Sequence, residues 1–287
     1  MTNIGSDERS QAIRDVAFAW AESTGNEILL LVEAGSRAHG FASPNSDHDV
    51  RVIFRQPLTR AMALLPGDET VDLKHAKLPF DPGFEVSLAG WSLRRALELG
   101  LASAPQFSAA ARLTREARPH CAYFADDDFL RRIGPLAAAM APRPAAHNLR
   151  GQLKVALKRE LARPEDPKQK IYLQIAQVLL QAEWVVSNHE RGWQFPLGMD
   201  ELMQEVPMAS LERRIIEDLL DWKRASPDSQ ARRRIHALDS WLATSHELLN
   251  ERIAQIPDAY IAPEIAESIW LTSYGLTEPD LEMAPAP

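Results

Sequence analysis

A single cysteine, Cys121, stands among the 287 residues. That excludes a disulfide within the chain and any cysteine-rich zinc site. No apolar run approaches the ~18 residues that a membrane span needs. The opening residues, Met-Thr-Asn-Ile-Gly-Ser-Asp-Glu, have neither the basic nor the apolar part of a secretory signal, so the expected location is the cytoplasm. Positive charge is also short. The 32 Lys and Arg against 40 Asp and Glu leave a formal net charge of −8, which argues against a broad nucleic-acid groove. Local basic clusters remain at Lys158-Arg159 and Arg232-Arg233-Arg234. Several catalytic signatures are missing: no Gly-x-Gly-x-x-Gly loop, no P-loop and no Gly-x-Ser-x-Gly nucleophile elbow occurs. His189-Glu190 lacks the second histidine of a zinc-binding helix, and the eight histidines are scattered.

What is present centres on residues 34–51, Ala-Gly-Ser-Arg-Ala-His-Gly-Phe-Ala-Ser-Pro-Asn-Ser-Asp-His-Asp-Val-Arg. Before it runs Ile28-Leu29-Leu30-Leu31-Val32, an expected buried strand. After it comes Val50-Arg51-Val52-Ile53-Phe54, an expected second strand. Strand side chains alternate faces, so Asp47 and Asp49 are expected to point the same way, with Arg51 continuing on that face. Two neighbouring carboxylates repel each other and call for a cation between them. Hard oxygen donors suit Mg²⁺, which shares its shell with substrate phosphates. The Gly35-Ser36 turn supplies the complement, since glycine admits a phosphate close to the backbone and N–H groups at a turn bind anions. A Gly-Ser alone is often only a turn, and an Asp-x-Asp alone only a solvated strand end. In this order, between two apolar strands, they fit a seat for a nucleoside triphosphate.

The pattern small/apolar-Gly-Ser, ten residues, then Asp-x-Asp-apolar resembles the signature of the DNA polymerase β superfamily of nucleotidyltransferases. The fuller string from Gly35 to Arg51 resembles a narrower branch, the bacterial and phage RlaP group associated with RNA repair. Gly90-Trp91-x-Leu93-Arg94-Arg95-Ala96-Leu97 is similar to that group's Gly-Trp-Asp-Leu-Arg-Lys element. A weaker echo runs from Lys170-x-Tyr172 through Leu179-Leu180 to Trp184. The resemblance implies an α+β fold: a small mixed β-sheet nucleotidyltransferase domain, like the polymerase-β palm, followed by an all-helical domain. It implies metal-dependent transfer of a nucleoside monophosphate from a triphosphate, with ATP expected, to a hydroxyl acceptor such as an RNA end or a protein.

By that resemblance Asp47, Asp49 and a third carboxylate hold two Mg²⁺ ions, with Mn²⁺ as substitute. Gly35, Ser36, Arg37 and Arg51 face the nucleotide. The third acid is expected three residues before the Gly-Trp, where this chain has Ser87. Glu85, two residues earlier on the same strand face, is the expected replacement, and Asp72 a poorer one. Ser92 stands where the group has Asp, and Gln177-Val178 where it has Arg-Pro. These departures keep open a nucleotide-binding or regulatory protein that has lost turnover.

Along the chain, a helix is expected over Ser6–Thr24, with Ile13, Val16, Ala17 and Trp20 on one stripe. Strands are expected over Glu27–Glu33, Asp49–Phe54, Thr70–Leu73 and Phe84–Leu88, with a helical turn at Ala61–Leu65 and a loop over Lys74–Pro82. A helix over Ser92–Leu101 follows, then helical chain from Ala102 to Pro119 broken at Pro105. Trp91 reads as a packing anchor, and Arg94 and Arg95 as exposed charges. Asp126-Asp127-Asp128 reads as a helix cap rather than a metal site. The Ala141-Pro142-Arg143-Pro144 run is the expected boundary between domains 1–141 and 142–287. Beyond it helices are expected over Ala145–Leu161, Lys168–Asn188, Met199–Glu205, Leu211–Arg224, Ser229–Gln255 and Ala262–Ser273, and the tail from about 275 as frayed. Lys154 and Lys170 are basic contributors from those helices.

Overall fold

The computed structural model describes residues 8–276 apart from 44–45, 65–66, 79–80, 114–120, 192–194 and 226–230, and over 74–78 and 81–85 it describes the backbone alone. Its strands are β1 Glu27–Glu33, β2 His48–Arg55, β3 Thr70–Leu78, β4 Asp81–Ser92 and β5 Ala122–Ala125. Its α-helices are α1 Glu8–Thr24, α2 Gly35–Ala38, α3 Leu58–Ala61, α4 Leu93–Leu101, α5 Pro105–Leu113, α6 Asp127–Ala138, α7 Pro142–Ala156, α8 Gln169–Ser187, α9 Met199–Glu205, α10 Ser210–Ala225, α11 His236–Ala254 and α12 Pro263–Ser273. The fold is mixed, with one sheet in the order β3-β4-β2-β1-β5. β2 and β4 run parallel; the other neighbours are antiparallel.

In β1 every residue from Ile28 to Glu33 is buried, the mark of a central strand covered on both faces. On one face α1 lays Ile13, Ala17 and Ala21 against Leu31, Val52 and Phe54. Those positions recur every four residues, so one helical stripe meets one pleat. The opposite face, with Leu30, Val32 and Ile53, belongs to a larger core shared with α4, α5, α7 and α8. Burying each such aliphatic side chain contributes about 1.5–3 kcal/mol. That core includes residues on both sides of position 141.

Several elements depart from expectation for identifiable reasons. The loop expected over Lys74–Pro82 is a hairpin, with β3 extending to Leu78 and β4 starting at Asp81. Pro82 sits at the beginning of its strand, where a missing N–H is tolerated. Helix α3 lies three residues earlier than its expected position. Pro105 opens α5 rather than breaking a helix, and Ala141 and Pro142 form the N-cap and first residue of α7, where proline's fixed φ suits helix entry. After α7 the chain continues as a π-helical turn, Leu157–Leu161. Helix α11 starts at His236, and its expected start, Ser229, lies outside the described residues. The chain before it is drawn aside by Arg234, whose guanidinium donates to the carbonyls of Leu161, Arg163 and Glu165. Asp126 caps α6 as expected, its Oδ1 accepting from the Phe129 N–H at 2.7 Å. The tail from 277 lies outside the described residues.

Candidate active site

Between β1 and β2 the chain makes the short helix α2, and its first residue, Gly35, has φ +58°. L side chains rarely adopt that conformation. Crowding reinforces the requirement, because a Cβ at Gly35 would stand 2.1 Å from Asp49 Oδ2. The glycine turn and the second aspartate are therefore in direct apposition. Ala34, the N-cap of α2, offers no side-chain acceptor, so the first N–H groups of the helix lack the usual capping partner. Ser36 and Gly35 also accept, from Phe41 and His39 N–H at 3.0 and 3.2 Å, which closes the turn behind them.

Asp49 is positioned by a residue the motif did not reveal. Glu33, at the end of β1, is 1% exposed. Its Oε1 accepts the Asp49 N–H at 3.0 Å, while Oε2 lies 2.7 Å from His48 Nδ1 and accepts from the Tyr123 hydroxyl. His48 and Tyr123 also meet, Nδ1 to hydroxyl, at 2.8 Å. A buried carboxylate without such partners would cost several kcal/mol. With them it becomes a rigid peg under the start of β2. Burial and then the Glu33 charge push the Tyr123 phenol well above its ordinary range.

Asp47 stands one residue ahead of β2 and is exposed. Asp49 also keeps solvent-accessible surface, yet burial, then the charges of Glu33 and Asp47, raise its carboxyl above the usual carboxylate range, while Lys170 and Arg51 pull it down. Asp49 is thus an exposed carboxylate set against the Gly35 turn, with further carboxylates within electrostatic reach. Its negative charge is in excess there, and two carboxylates with hard oxygen donors fit a divalent cation. Among the described residues no group of three His, Cys, Asp or Glu is arranged to hold a metal.

The loop carrying the motif is fastened mainly from the helices. Lys223, on α10 and 4% exposed, donates to Ser43 Oγ at 3.1 Å and Ser46 Oγ at 3.2 Å. Arg224 donates to the Gly40 carbonyl at 2.8 Å and pairs with Asp200 at 2.6 Å. His39 is held by Leu197 and Met199 backbone groups, at 2.9 and 3.0 Å. Arg37, expected at the nucleotide, donates to the Ser46 and Asp47 carbonyls at 2.6 and 3.4 Å and so sets the path of the chain into Asp47. Burial, then the nearby charge of Lys170, lowers the Lys223 ammonium, with Asp47 opposing. Lys170 and Lys223 thus bring positive charge from α8 and α10 to the two aspartates.

On the far side, β4 lies parallel to β2 with Ser87 directly across from Asp49 and Val86 across from His48. Glu85 pairs with Lys77 on β3, one position before that register begins; its side chain lies outside the described residues. Asp72 pairs with Ala89, which in turn pairs with Arg51, so its charge reaches Arg51, two strands away. Arg51 itself lies over the Trp91 ring, 4.5 Å from guanidinium carbon to centroid, and burial lowers its pKa. Gly90 is required by contact: a Cβ there would stand 2.0 Å from the Val52 carbonyl oxygen. Ser92 Oγ accepts from the Arg95 N–H at 3.1 Å as the N-cap of α4, a role Asp fills equally well. Arg94, expected to be an exposed charge, instead donates to the Ala61 carbonyl, pairs with Glu69 at 3.4 Å and covers Trp270. Arg95 pairs at the surface with Glu98 at 2.8 Å.

Beside Gly35 and Arg51 opens a cavity of about 180 Å³ walled by α5, α7 and α8. Gln177, the departure noted above, lines it together with Gln181.

Residues 10–265 match the RlaP family, described as the RNA repair pathway DNA polymerase beta family. The uncharacterized protein YcgL of Bacillus subtilis (strain 168) is 24% identical over 249 residues, covering 86% of this chain and 88% of that one. A solved nucleotidyltransferase-like protein from Exiguobacterium sibiricum 255-15 is 12% identical, covers 92% of this chain and 79% of its own, and superposes with a TM-score of 0.29. Among the described residues no helix is long and apolar enough to cross a membrane.

Proposed function

The chain belongs to the RNA repair pathway DNA polymerase beta family, and from that premise we propose that it transfers a nucleoside monophosphate from a nucleoside triphosphate, ATP first among them, to a hydroxyl such as an RNA end. One observation carries this reading: the Asp49 carboxylate faces Gly35 at the start of α2, with Asp47, Lys170 and Arg51 within electrostatic reach. The N–H groups at the start of α2 bind the β- and γ-phosphates. Lys170 adds charge from the helical side, and Lys223 keeps the loop in register. Asp47 and Asp49, with Glu85 as the proposed third carboxylate, hold Mg²⁺ or Mn²⁺. When bound, such an ion supplies Lewis-acid stabilisation of phosphate charge and lowers the pKa of the attacking hydroxyl. Glu33 keeps the Asp49 backbone still, which matters because positioning provides much of the rate in phosphoryl transfer.

A second reading, a nucleotide-binding protein without turnover, is favoured by Ser87, which stands opposite Asp49. Incubation with α-labelled ATP, CTP, GTP or UTP, Mg²⁺ and total RNA or protein separates the two. Label passing to an acceptor, and lost in Asp49→Ala, supports transfer. Tight triphosphate binding with no label transferred supports the second reading.

A further inference from the structure

The structure assigns a base-recognition role to the cavity under α8: we propose that it takes the adenine ring of the donor triphosphate, read by the side-chain amides of Gln177 and Gln181. This rests on the nucleotide reading above and deepens it. The cavity, about 180 Å³, is lined by Gly35 and Arg51 together with Gln177, Val178 and Gln181. Ligand clefts for whole drug-sized molecules run to ~300–1,000 Å³, so this one has room for a ring but not for a nucleotide with its phosphates.

Gln177 and Gln181 are 6% and 7% exposed, and among the described residues neither amide has a hydrogen-bond partner. Neither amide is among the polar atoms sealed from solvent without a partner, so each is open to exchange water for a ligand that pairs with it. Gln152, which also lines the cavity, spends its amide on Asn148 at 2.7 Å. Gln177 and Gln181 lie four residues apart and share one face of α8. Lys170 lies on the same helix, seven residues before Gln177, a rise of about 10 Å. One helix therefore leads from the aspartates to the cavity over roughly the reach from phosphates to base.

The donor pattern selects adenine. An amide offers an N–H donor beside a carbonyl acceptor, the complement of an amino group beside a ring nitrogen. Adenine alone carries its amino group between two ring-nitrogen acceptors, one on each side, so two amides can each take an edge. Guanine is matched by a guanidinium, and here Arg51 is laid over Trp91. Ala109, Leu113 and Leu149 supply apolar wall for the ring.

The test is equilibrium binding by the full chain, with Mg²⁺, of ATP, GTP, CTP, UTP and inorganic tripolyphosphate. The expected result is ATP binding at least about fivefold tighter than the other three, from the ~1–3 kcal/mol of a matched amide pair. Gln177→Leu with Gln181→Leu brings ATP down to their level and leaves tripolyphosphate unchanged, which also reports an intact fold. If that pair loses tripolyphosphate binding, Gln177→Glu alone must erase the ATP preference. Equal binding of all four nucleotides by the native chain, or an ATP preference that survives the substitutions, overturns the base assignment and leaves the nucleotide reading standing. Failure of the native chain to bind tripolyphosphate and every nucleotide overturns both.

Discussion

Asp49 and Gly35 touch across the turn between β1 and β2: a Cβ added to Gly35 would lie 2.1 Å from Asp49 Oδ2 and 3.0 Å from its Cγ. Gly35→Ala therefore meets two obstacles. The left-handed backbone costs an L residue roughly 1–2 kcal/mol, and the methyl displaces the carboxylate. Thermal melting should show a folded protein with a slightly lowered midpoint, while nucleotidyl transfer falls by about 100-fold, the usual result of misplacing a reacting group by ~1 Å. Native activity in Gly35→Ala would contradict a catalytic Asp49.

The Glu33 cluster predicts a non-additive pair. Glu33→Gln disturbs contacts to His48, Tyr123 and the Asp49 backbone and should cost about 1–3 kcal/mol in urea unfolding. Tyr123→Phe removes one hydrogen bond, about 1 kcal/mol. Both changes touch the same carboxylate oxygen, so the double variant should lose less than the sum. Additive losses would show that the two groups do not act as a unit.

Lys170 faces Asp49 electrostatically without a hydrogen bond to it. Lys170→Met should weaken triphosphate binding about tenfold, the lower range for a charge-assisted contact, and the native affinity should fall more steeply with added salt than that of the variant. Unchanged affinity in the variant would remove α8 from the phosphate site.

How far the sequence alone reaches is visible in this site. Gly35, Asp47, Asp49 and Arg51 are legible because turn chemistry and strand alternation are local, and the central strands follow from unbroken apolar runs. Glu33 is not, since a glutamate closing an apolar strand looks like a solvated end until Tyr123, ninety residues on in sequence, is brought beneath it. Lys223 reads as the polar face of an amphipathic helix, and only the approach of α10 to Ser43 and Ser46 buries it. The β3–β4 hairpin was obscured by Pro79 and Pro82, which signal a loop. β5 is four residues long, too short for a pattern, and owes its place to pairing with β1.

Alkaline pH should unfold the protein through its buried phenols. Burial raises Tyr172, bonded to Asp239 at 2.8 Å, and Tyr274 from 10.0 to about 12, with Tyr123 higher still. A raised phenol favours the folded state while protonated, so its contribution is complete below the unfolded value of 10.0 and is lost as pH rises through about 12. Urea midpoints should fall between those limits, and less steeply in Tyr172→Phe. A flat profile over that range would contradict the burial of these rings.

The account depends most on a metal-bound triphosphate resting between Asp49 and Gly35. A crystal soaked with a non-hydrolysable ATP analogue and Mn²⁺, examined by anomalous diffraction, tests this directly. The predicted result is manganese density touching the carboxylates of Asp47 and Asp49, with the analogue's phosphates at the N–H groups of Gly35 and Ser36. Manganese and analogue bound elsewhere, with those two aspartates bare, would contradict it.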